Sequence, residues 1–280
     1  MRFVKLHGAG NDYIYIDARG QSRDWPEVAR QVSDRHFGVG SDGLILLRES
    51  GKADARMQMF NADGSEGQMC GNGIRCFVRF GIDVSALDDT SKSFEIETGA
   101  GVLSVRPRWN NGVVVGASVG MGEPVLKPSL VPVAASDEMD VALDYPLKVN
   151  GSDILVNCVS MGNPHAVVFM DNPVDDYDLT RIGPMVERHP FFPERVNYEI
   201  VNVLGRDRIK VRVWERGSGI TLACGTGACA AVVAARLHDL VDDDVAVELP
   251  GGDLRVSWPG RGEVVMEGPV ARVFEGDWPD

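Results

Sequence analysis

Residues 70–73 read Cys-Gly-Asn-Gly and residues 224–227 read Cys-Gly-Thr-Gly, 154 positions apart. The segments before them, MQMFNADGSEGQMC and KVRVWERGSGITLAC, align without a gap, so that Phe60 falls on Trp214 and Asn61 on Glu215. Upstream, Gly10-Asn11-Asp12 matches Gly162-Asn163-Pro164 at an offset of 152, and Arg35-His36 matches Arg188-His189 at 153. Downstream, GVLSV at 101–105 matches GDLRV at 252–256 at 151. Five matches in one order, with offsets that drift by a few residues, identify two structurally equivalent halves.

Each half carries the same pattern of elements. Short alternating or β-branched runs bounded by Gly, Asn or Asp predict strands over 3–6, 13–17, 44–47, 56–60, 94–97, 102–106 and 113–117. The second half repeats them over 154–158, 166–170, 198–203, 209–214, 245–248, 254–258 and 263–266. Most connections are too short for helical crossovers, so the sheets are expected to be largely antiparallel. Two helices interrupt each set. One is peripheral, capped by Asp24 with Pro26 in its first turn and running to about Asp34, with a counterpart near 179–187. The other starts at the Cys-Gly-x-Gly, with Gly81 as its expected stop in the first half. In the second half it reads ACAAVVAAR, apolar almost all round, as a helix buried inside its own half does.

The expected fold is therefore α+β: two pseudo-symmetric lobes, each a curled, mostly antiparallel, barrel-like sheet around a central helix. The proline-rich stretch 122–140 follows the crossing between halves at about 120–123. The first lobe is assigned residues 1–121 with 267–280 and carries Cys70; the second is assigned 122–266 and carries Cys224. The segment 268–276 is expected to return to the first sheet.

With 280 residues, 44% of them hydrophobic, the chain can build two real cores, which excludes disorder and small disulfide scaffolds. Lys and Arg number 28 against 41 Asp and Glu, a net charge of −13 that repels phosphate backbones and anionic bilayers. Nucleic acid and membrane are thus unexpected partners, and a small-molecule substrate is favoured. No apolar run reaches membrane-spanning length and MRFVKLHGAGND has no signal-peptide core, so a cytoplasmic protein is expected. Five widely spread cysteines are expected to be thiols rather than a disulfide framework.

A thiol at the N-terminus of a buried helix meets the positive end of the helix dipole, which favours thiolate, so both Cys70 and Cys224 are expected to be reactive. The amides of Gly71, Asn72, Gly225 and Thr226 form a cradle for a carboxylate. Two sulfurs, one from each half, suit a two-base racemase: one removes a proton and the other delivers one to the opposite face. Glu215-Arg216 replaces Asn61-Ala62 and breaks the symmetry with a carboxylate for an ammonium group and a guanidinium for a carboxylate. Asn11, Asn163 and Asn197 add neutral donors and acceptors.

Other motifs fail their context. GVGSDG at 38–43 has the form of a dinucleotide fingerprint, but a strand follows where a helix should be. Cys76 and Cys229 are read as buried core residues and Cys158 as structural, the Asp242–Asp244 run as a solvated turn, and no metal or other cofactor is expected. The rival readings are another cofactor-independent amino-acid racemase, proline-racemase-like, and a thiol redox protein switching a Cys70–Cys224 disulfide; the wide separation of the two cysteines disfavours the latter.

NADGSEGQMCGNGIR (61–75), ERGSGITLACGTGACA (215–230), HGAGND (7–12), MGNPH (161–165) and FPERVN (192–197) closely resemble the diaminopimelate epimerase family, and the resemblance runs from the first residues to the last strand. It implies that family's fold and a PLP-independent isomerase (EC 5.1.1.7) interconverting LL- and meso-diaminopimelate, on the way to lysine and a cell-wall precursor, as a homodimer. Cys70 and Cys224 are implied as the acid/base pair. Substrate contacts are implied at Asn11, Gly43, Asn61, Gly71, Asn72, Asn163, Asn197, Glu215, Arg216, Gly225 and Thr226, and tuning of the cysteines at His165 and Glu215. One position departs: some members carry a Gln where this chain has Gly43, so any contact there must come from backbone.

Overall fold

The computed structural model describes residues 1–135 and 139–279; residues 136–138 of the proline-rich stretch lie outside the described residues. The chain divides into two compact units, Met1–Gly120 with Glu267–Asp280, and Met121–Met266. The first contains β1 (Arg2–Gly8), β2 (Asn11–Asp17), α1 (Trp25–Ser33), β3 (Gly43–Arg48), β4 (Ala55–Asn61), the two-residue β5 (Glu66–Gly67), α2 (Gly71–Asp83), β6 (Phe94–Thr98), β7 (Gly101–Asn110) and β8 (Val113–Gly120). The second contains β9 (Tyr145–Val149), β10 (Ser152–Ser160), β11 (Pro164–Phe169), α3 (Leu179–Glu187), β12 (Asn197–Gly205), β13 (Arg208–Glu215), the two-residue β14 (Gly219–Ile220), α4 (Gly225–Leu237), β15 (Asp244–Leu249) and β16 (Gly252–Ser257). The chain ends with β17 (Val265–Pro269) and β18 (Ala271–Asp277).

The duplication read from the sequence is present strand by strand. In the first unit β1–β2, β3–β4 and β6–β7 pair antiparallel, whereas β2–β3 and β4–β6 are parallel. In the second, β10–β11, β12–β13 and β15–β16 are antiparallel, and β11–β12 and β13–β15 are parallel. The parallel pairs are those whose connection contains a helix, which makes it long enough to cross over. Registers agree residue by residue: Leu44↔Phe60 recurs as Tyr198↔Trp214, and Arg56↔Glu97 as Lys210↔Glu248. Tyr13↔Gly43 recurs as His165↔Asn197, which makes His165 the counterpart of Tyr13 and Asn197 that of Gly43.

The strand outside the first hairpin comes from opposite directions in the two units. β18, at the end of the chain, pairs antiparallel with β1, the return expected for 268–276. Its counterpart is β9, which pairs antiparallel with β10. The sequence reading does not contain β9. Its YPLKV carries a proline at the second position, which weakens the strand signal and suits a sheet edge.

Both faces of the central strands are covered, which is why β2 and β3 read as continuous apolar runs rather than alternating ones. Ile14, Ile16, Leu44 and Leu46 pack with Trp25, Ala29 and Val32 of α1 on one face. On the other, Tyr15 donates from its hydroxyl to the Gly73 carbonyl of α2 at 3.0 Å. Helix α4 is sealed from Ala228 to Ala235 and packs against β10, β11, β12, β13, β15 and β16. Its alanines let the curled sheet approach the helix axis on every side.

Gly81 does not stop α2, which continues to Asp83 and is capped at Val84. The reversal falls at Ser85, with a positive φ of 55°. Gly81 is required for packing instead: a Cβ there would lie 2.7 Å from Leu87 Cδ1. The Asp242–Asp244 turn is held by ion pairs, Asp242 to Arg206 at 2.6 Å, Asp243 to Arg236 at 2.8 Å and Asp244 to Arg255 at 2.6 Å. Among the described residues no helix is long and apolar enough to cross a membrane.

Burial pushes the thiols of Cys76 and Cys158 from 9.0 up to about 12. Across that window the unfolded chain releases protons that the folded chain keeps, so stability falls as pH rises, by about 1.4 kcal/mol per pH unit for each thiol. Urea midpoints measured at successive pH values are expected to decline more steeply above pH 9 than below it, and a Cys76→Ala, Cys158→Ala double variant is expected to show a flatter decline. Identical slopes in the two proteins would contradict the assignment.

Candidate active site

Helices α2 and α4 begin in the same unusual way. Cys70 and Cys224 are their N-cap residues in extended backbone conformations, the place where Ser, Thr, Asp or Asn commonly supplies an oxygen. Here sulfur accepts instead, from the Gly73 N–H at 3.3 Å and the Gly227 N–H at 3.4 Å. The second glycine of each motif lies directly against a strand side chain. A Cβ at Gly73 would meet Ile45 Cδ1 at 2.7 Å, and one at Gly227 would meet Glu199 Oε1 at 2.7 Å. Gly71 and Gly225 are the first residues of the two helices, so their amides and those of Asn72 and Thr226 belong to the first turn, whose N–H groups have no intrahelical acceptor.

In the first unit the structure gathers Asn11, Cys70, Gly71 and Asn72. Asn11 leaves the turn at Gly10, whose φ of 82° requires glycine, and its amide is oriented by Asp42, which accepts from Nδ2 at 2.6 Å. That leaves Asn11 Oδ1 to accept from the Cys70 thiol at 3.3 Å and from Asn72 Nδ2 at 3.4 Å. Asn72 Oδ1 accepts from the fully buried Arg75 at 2.8 Å. Asp42 and Asp12 are in turn paired with Arg35 at 2.9 and 2.8 Å, and Lys5 pairs with Asp12 at 2.7 Å. Burial works to raise the Asp12 carboxyl, but these two cations outweigh it and hold the group below its ordinary value.

Gly43 and Asn61 are register partners at the ends of β3 and β4. A Cβ at Gly43 would lie 2.2 Å from the Phe60 carbonyl oxygen, so no side chain fits, and the Gly43 carbonyl accepts from Ser41 Oγ at 2.9 Å. Asn61 is exposed and donates to Ser65 Oγ at 2.9 Å. The glycines of residues 38–43 lead into β3, not into a helix, as their surroundings in the sequence suggest.

The second unit gathers Asn163, His165, Asn197, Glu215, Arg216, Cys224, Gly225 and Thr226 on or next to the ends of β11–β13 and α4. Asn197 ties three strands together: its Nδ2 donates to the Pro164 carbonyl at 2.9 Å, and its Oδ1 accepts from the Arg216 amide at 2.9 Å. The Arg216 guanidinium donates to the Glu194 carbonyl at 3.0 Å. Glu215 accepts from the Thr221 hydroxyl, and burial raises its carboxyl above the ordinary range.

Cys224 is 7% exposed, with Thr226 Oγ1 3.5 Å from its sulfur. Its thiol is held well above the usual cysteine range, first by burial, then by the Glu215 and Glu199 carboxylates. The Thr226 hydroxyl and the Gly227 N–H act in the opposite direction without reversing it. The expectation that a helix N-terminus favours thiolate at both cysteines therefore does not hold at Cys224, where desolvation and like charge outweigh the helix end.

Glu199 is absent from the sequence reading. It is fully buried on β12, and its Oε1 lies 2.7 Å from His165 Nδ1, whose Nε2 lies 3.0 Å from Asn163 Oδ1. A carboxylate inside the apolar run YEIVNV was the available signal.

Residue-resolved alkylation with iodoacetamide tests this difference between the cysteines. Cys224 is expected to stay slow through neutral pH and to accelerate only in alkali, because its thiol keeps its proton until pH passes the raised value. Cys76 and Cys158 are expected to react only when the chain is unfolded. Fast labelling of Cys224 near pH 7 would contradict the burial and charge described here.

The family model for diaminopimelate epimerase matches residues 3–127 and 157–273. The chain is 47% identical over 280 residues to the diaminopimelate epimerase of Acetivibrio thermocellus, covering 99% of this chain and 98% of that protein. It is 48% identical over 284 residues to that of Desulfovibrio desulfuricans, with the same coverage. Among solved structures, a probable proline racemase from Agrobacterium radiobacter superposes with a TM-score of 0.71 at 13% identity, over 99% of this chain and 92% of that one. A phenazine biosynthesis protein of the PhzF family from Bacillus anthracis gives 0.68 at 16%, over 99% and 98%. The distant structures share the fold, while near-identical length and almost half-identical sequence place this chain in the diaminopimelate epimerase family.

Proposed function

We infer that this chain interconverts LL- and meso-diaminopimelate, with Cys70 and Cys224 as its two acid/base groups. One observation carries the assignment of the cysteines: each half of a duplicated topology presents one thiol as the N-cap of its buried helix. Inverting an α-carbon by proton transfer requires a base on one face and an acid on the other, and two equivalent thiols supply both. The reading requires that both sulfurs reach the same carbon.

The surroundings divide the labour. Burial and two carboxylates favour the protonated form at Cys224, so Cys224 is the resting acid. Cys70, half-buried and accepting from the Gly73 N–H, takes the role of base. A substrate of opposite handedness reverses the roles, and because the two titrations are linked they belong to the pair.

The α-proton is weakly acidic, so charge developing on the carbanion and its carboxylate must be stabilised. The first-turn amides of Gly71, Asn72, Gly225 and Thr226 are preorganised donors for a carboxylate, and the Arg216 guanidinium and the Glu215 carboxylate suit the two ends of an amino-acid head. Asn11, Asn61, Asn163 and Asn197 complete the proposed contacts, with Gly43 acting through its backbone and His165 and Glu215 tuning the cysteines. The family reading extends to the supply of lysine and cell-wall precursor, in the cytoplasm, by a homodimer.

Cys70→Ala and Cys224→Ala are each expected to lower kcat/KM for LL-diaminopimelate by about 10³-fold or more. The corresponding Ser variants are expected to keep a slow residual rate, since a hydroxyl is a much weaker acid than a thiol. Chiral chromatography of the products reads both. Wild-type rates in either Ala variant would overturn the assignment, and turnover of proline in place of diaminopimelate would favour the proline-racemase-like reading.

A further inference from the structure

The two units differ most sharply beneath their cysteine-bearing helices. Under α2 the side chain pressed against the second glycine of the motif is Ile45; under α4, at the equivalent strand position, it is Glu199. A buried carboxyl is costly unless every lone pair finds a donor. Glu199 is 0% exposed and meets only part of that requirement: Oε1 faces His165 Nδ1 at 2.7 Å, while Oε2 is a buried oxygen with no hydrogen-bond partner. Replacement by a neutral apolar residue is what packing alone would select, and the first unit shows that the fold accepts one. A buried acid retained in such a place has an electrostatic or orienting use.

Two neighbours indicate the use. The first is a chain of contacts running from Glu199 through His165 to Asn163, whose Oδ1 lies 3.0 Å from His165 Nε2. With its Nδ1 facing the carboxyl and its Nε2 facing the Asn163 amide, the imidazole is held from both sides, and the Asn163 amide is oriented through it. The counterpart of His165 in the first unit is Tyr13, which likewise reaches Asn11, and Asp42 holds the Asn11 amide as well. The second neighbour is Cys224. An added Cβ on Gly227 would lie 2.7 Å from Glu199 Oε1 and 3.3 Å from Cys224 Sγ, which puts carboxyl and thiol on the same side of the first turn of α4.

We propose that Glu199 is a positioning residue of the Cys224 half of the site, which orients Asn163 through His165 and places carboxylate charge next to the Cys224 thiol so that this cysteine rests as the proton donor. The groups facing Cys224 in its own unit are Glu215 from β13, Glu199 from β12 and the Thr226 hydroxyl and Gly227 N–H from α4, with His165 of β11 behind Glu199. The two carboxylates among these neighbours set the sign. The proposal rests on Cys224 being an acid/base group.

The test compares wild type, Glu199→Gln and Glu199→Ile, the last importing the residue of the first unit. The pH dependence of iodoacetamide labelling is read separately at Cys224 and Cys70 by peptide mass spectrometry, together with kcat and KM for diaminopimelate. Both variants are expected to move the Cys224 curve to lower pH by about one unit and the Cys70 curve by much less. Glu199→Ile is also expected to raise KM about tenfold, the equivalent of one lost oriented hydrogen bond, and Glu199→Gln to recover most of that loss. An unmoved Cys224 curve in both variants would overturn the proposal, as would an equal shift at both cysteines. If the Ile variant lacks the native circular-dichroism spectrum, the Gln variant decides alone. Failure of the wild type to turn over diaminopimelate would count against the functional reading, and the Cys224 curve would still report on Glu199.

Discussion

A sulfur atom accepting the N–H three residues on is the contact around which each half of this molecule is organised. It starts the central helix, at Gly73 in one unit and Gly227 in the other, and so places a thiol at the electropositive end of a segment that the sheet encloses. The glycine on the donor side follows from the same contact, because a strand side chain occupies the space a Cβ would need. Cap, glycine and enclosing strand form one unit of structure, present twice.

Duplication supplied the scaffold, and divergence under it supplied the chemistry. Strand directions and registers are shared, but the residues at equivalent places are not: Tyr13 against His165, Ile45 against Glu199, Gly43 against Asn197 and Asn61 against Glu215. Every one of these changes makes the second unit more polar or more charged. A symmetric pair of thiols would have no reason to hold the proton on one side. The carboxylates beneath Cys224 provide one.

Much of this was legible in the sequence because a repeat carries its own internal check. Offsets of 151 to 154 between matched motifs predict equivalent strands, and the pairings of β2–β3 with β11–β12 and of β4–β6 with β13–β15 follow them. The helix starts were readable from Asp24 and Pro26 and from the two Cys-Gly-x-Gly motifs. What escaped has identifiable causes. β9 has no repeat partner in sequence order, since β18 fills the matching place from the far end of the chain. Gly81 looked like a helix stop because the contact with Leu87 that requires it is tertiary. The helix-end argument for thiolate at Cys224 missed the depth of burial and Glu199, neither of which a local motif records.

The central claim is that two different groups serve the two faces of one carbon, and isotope exchange early in the reaction tests it most directly. LL-diaminopimelate is incubated in deuterium oxide, and both pools are analysed at the α-carbon after only a small fraction has reacted. Two bases that exchange with solvent predict deuterium at the inverted carbon of the meso product while the unreacted LL substrate still carries hydrogen. Product that keeps its original hydrogen, or equal label in both pools from the outset, would mean that a single group removes and returns the proton, and the assignment of paired thiols would be wrong.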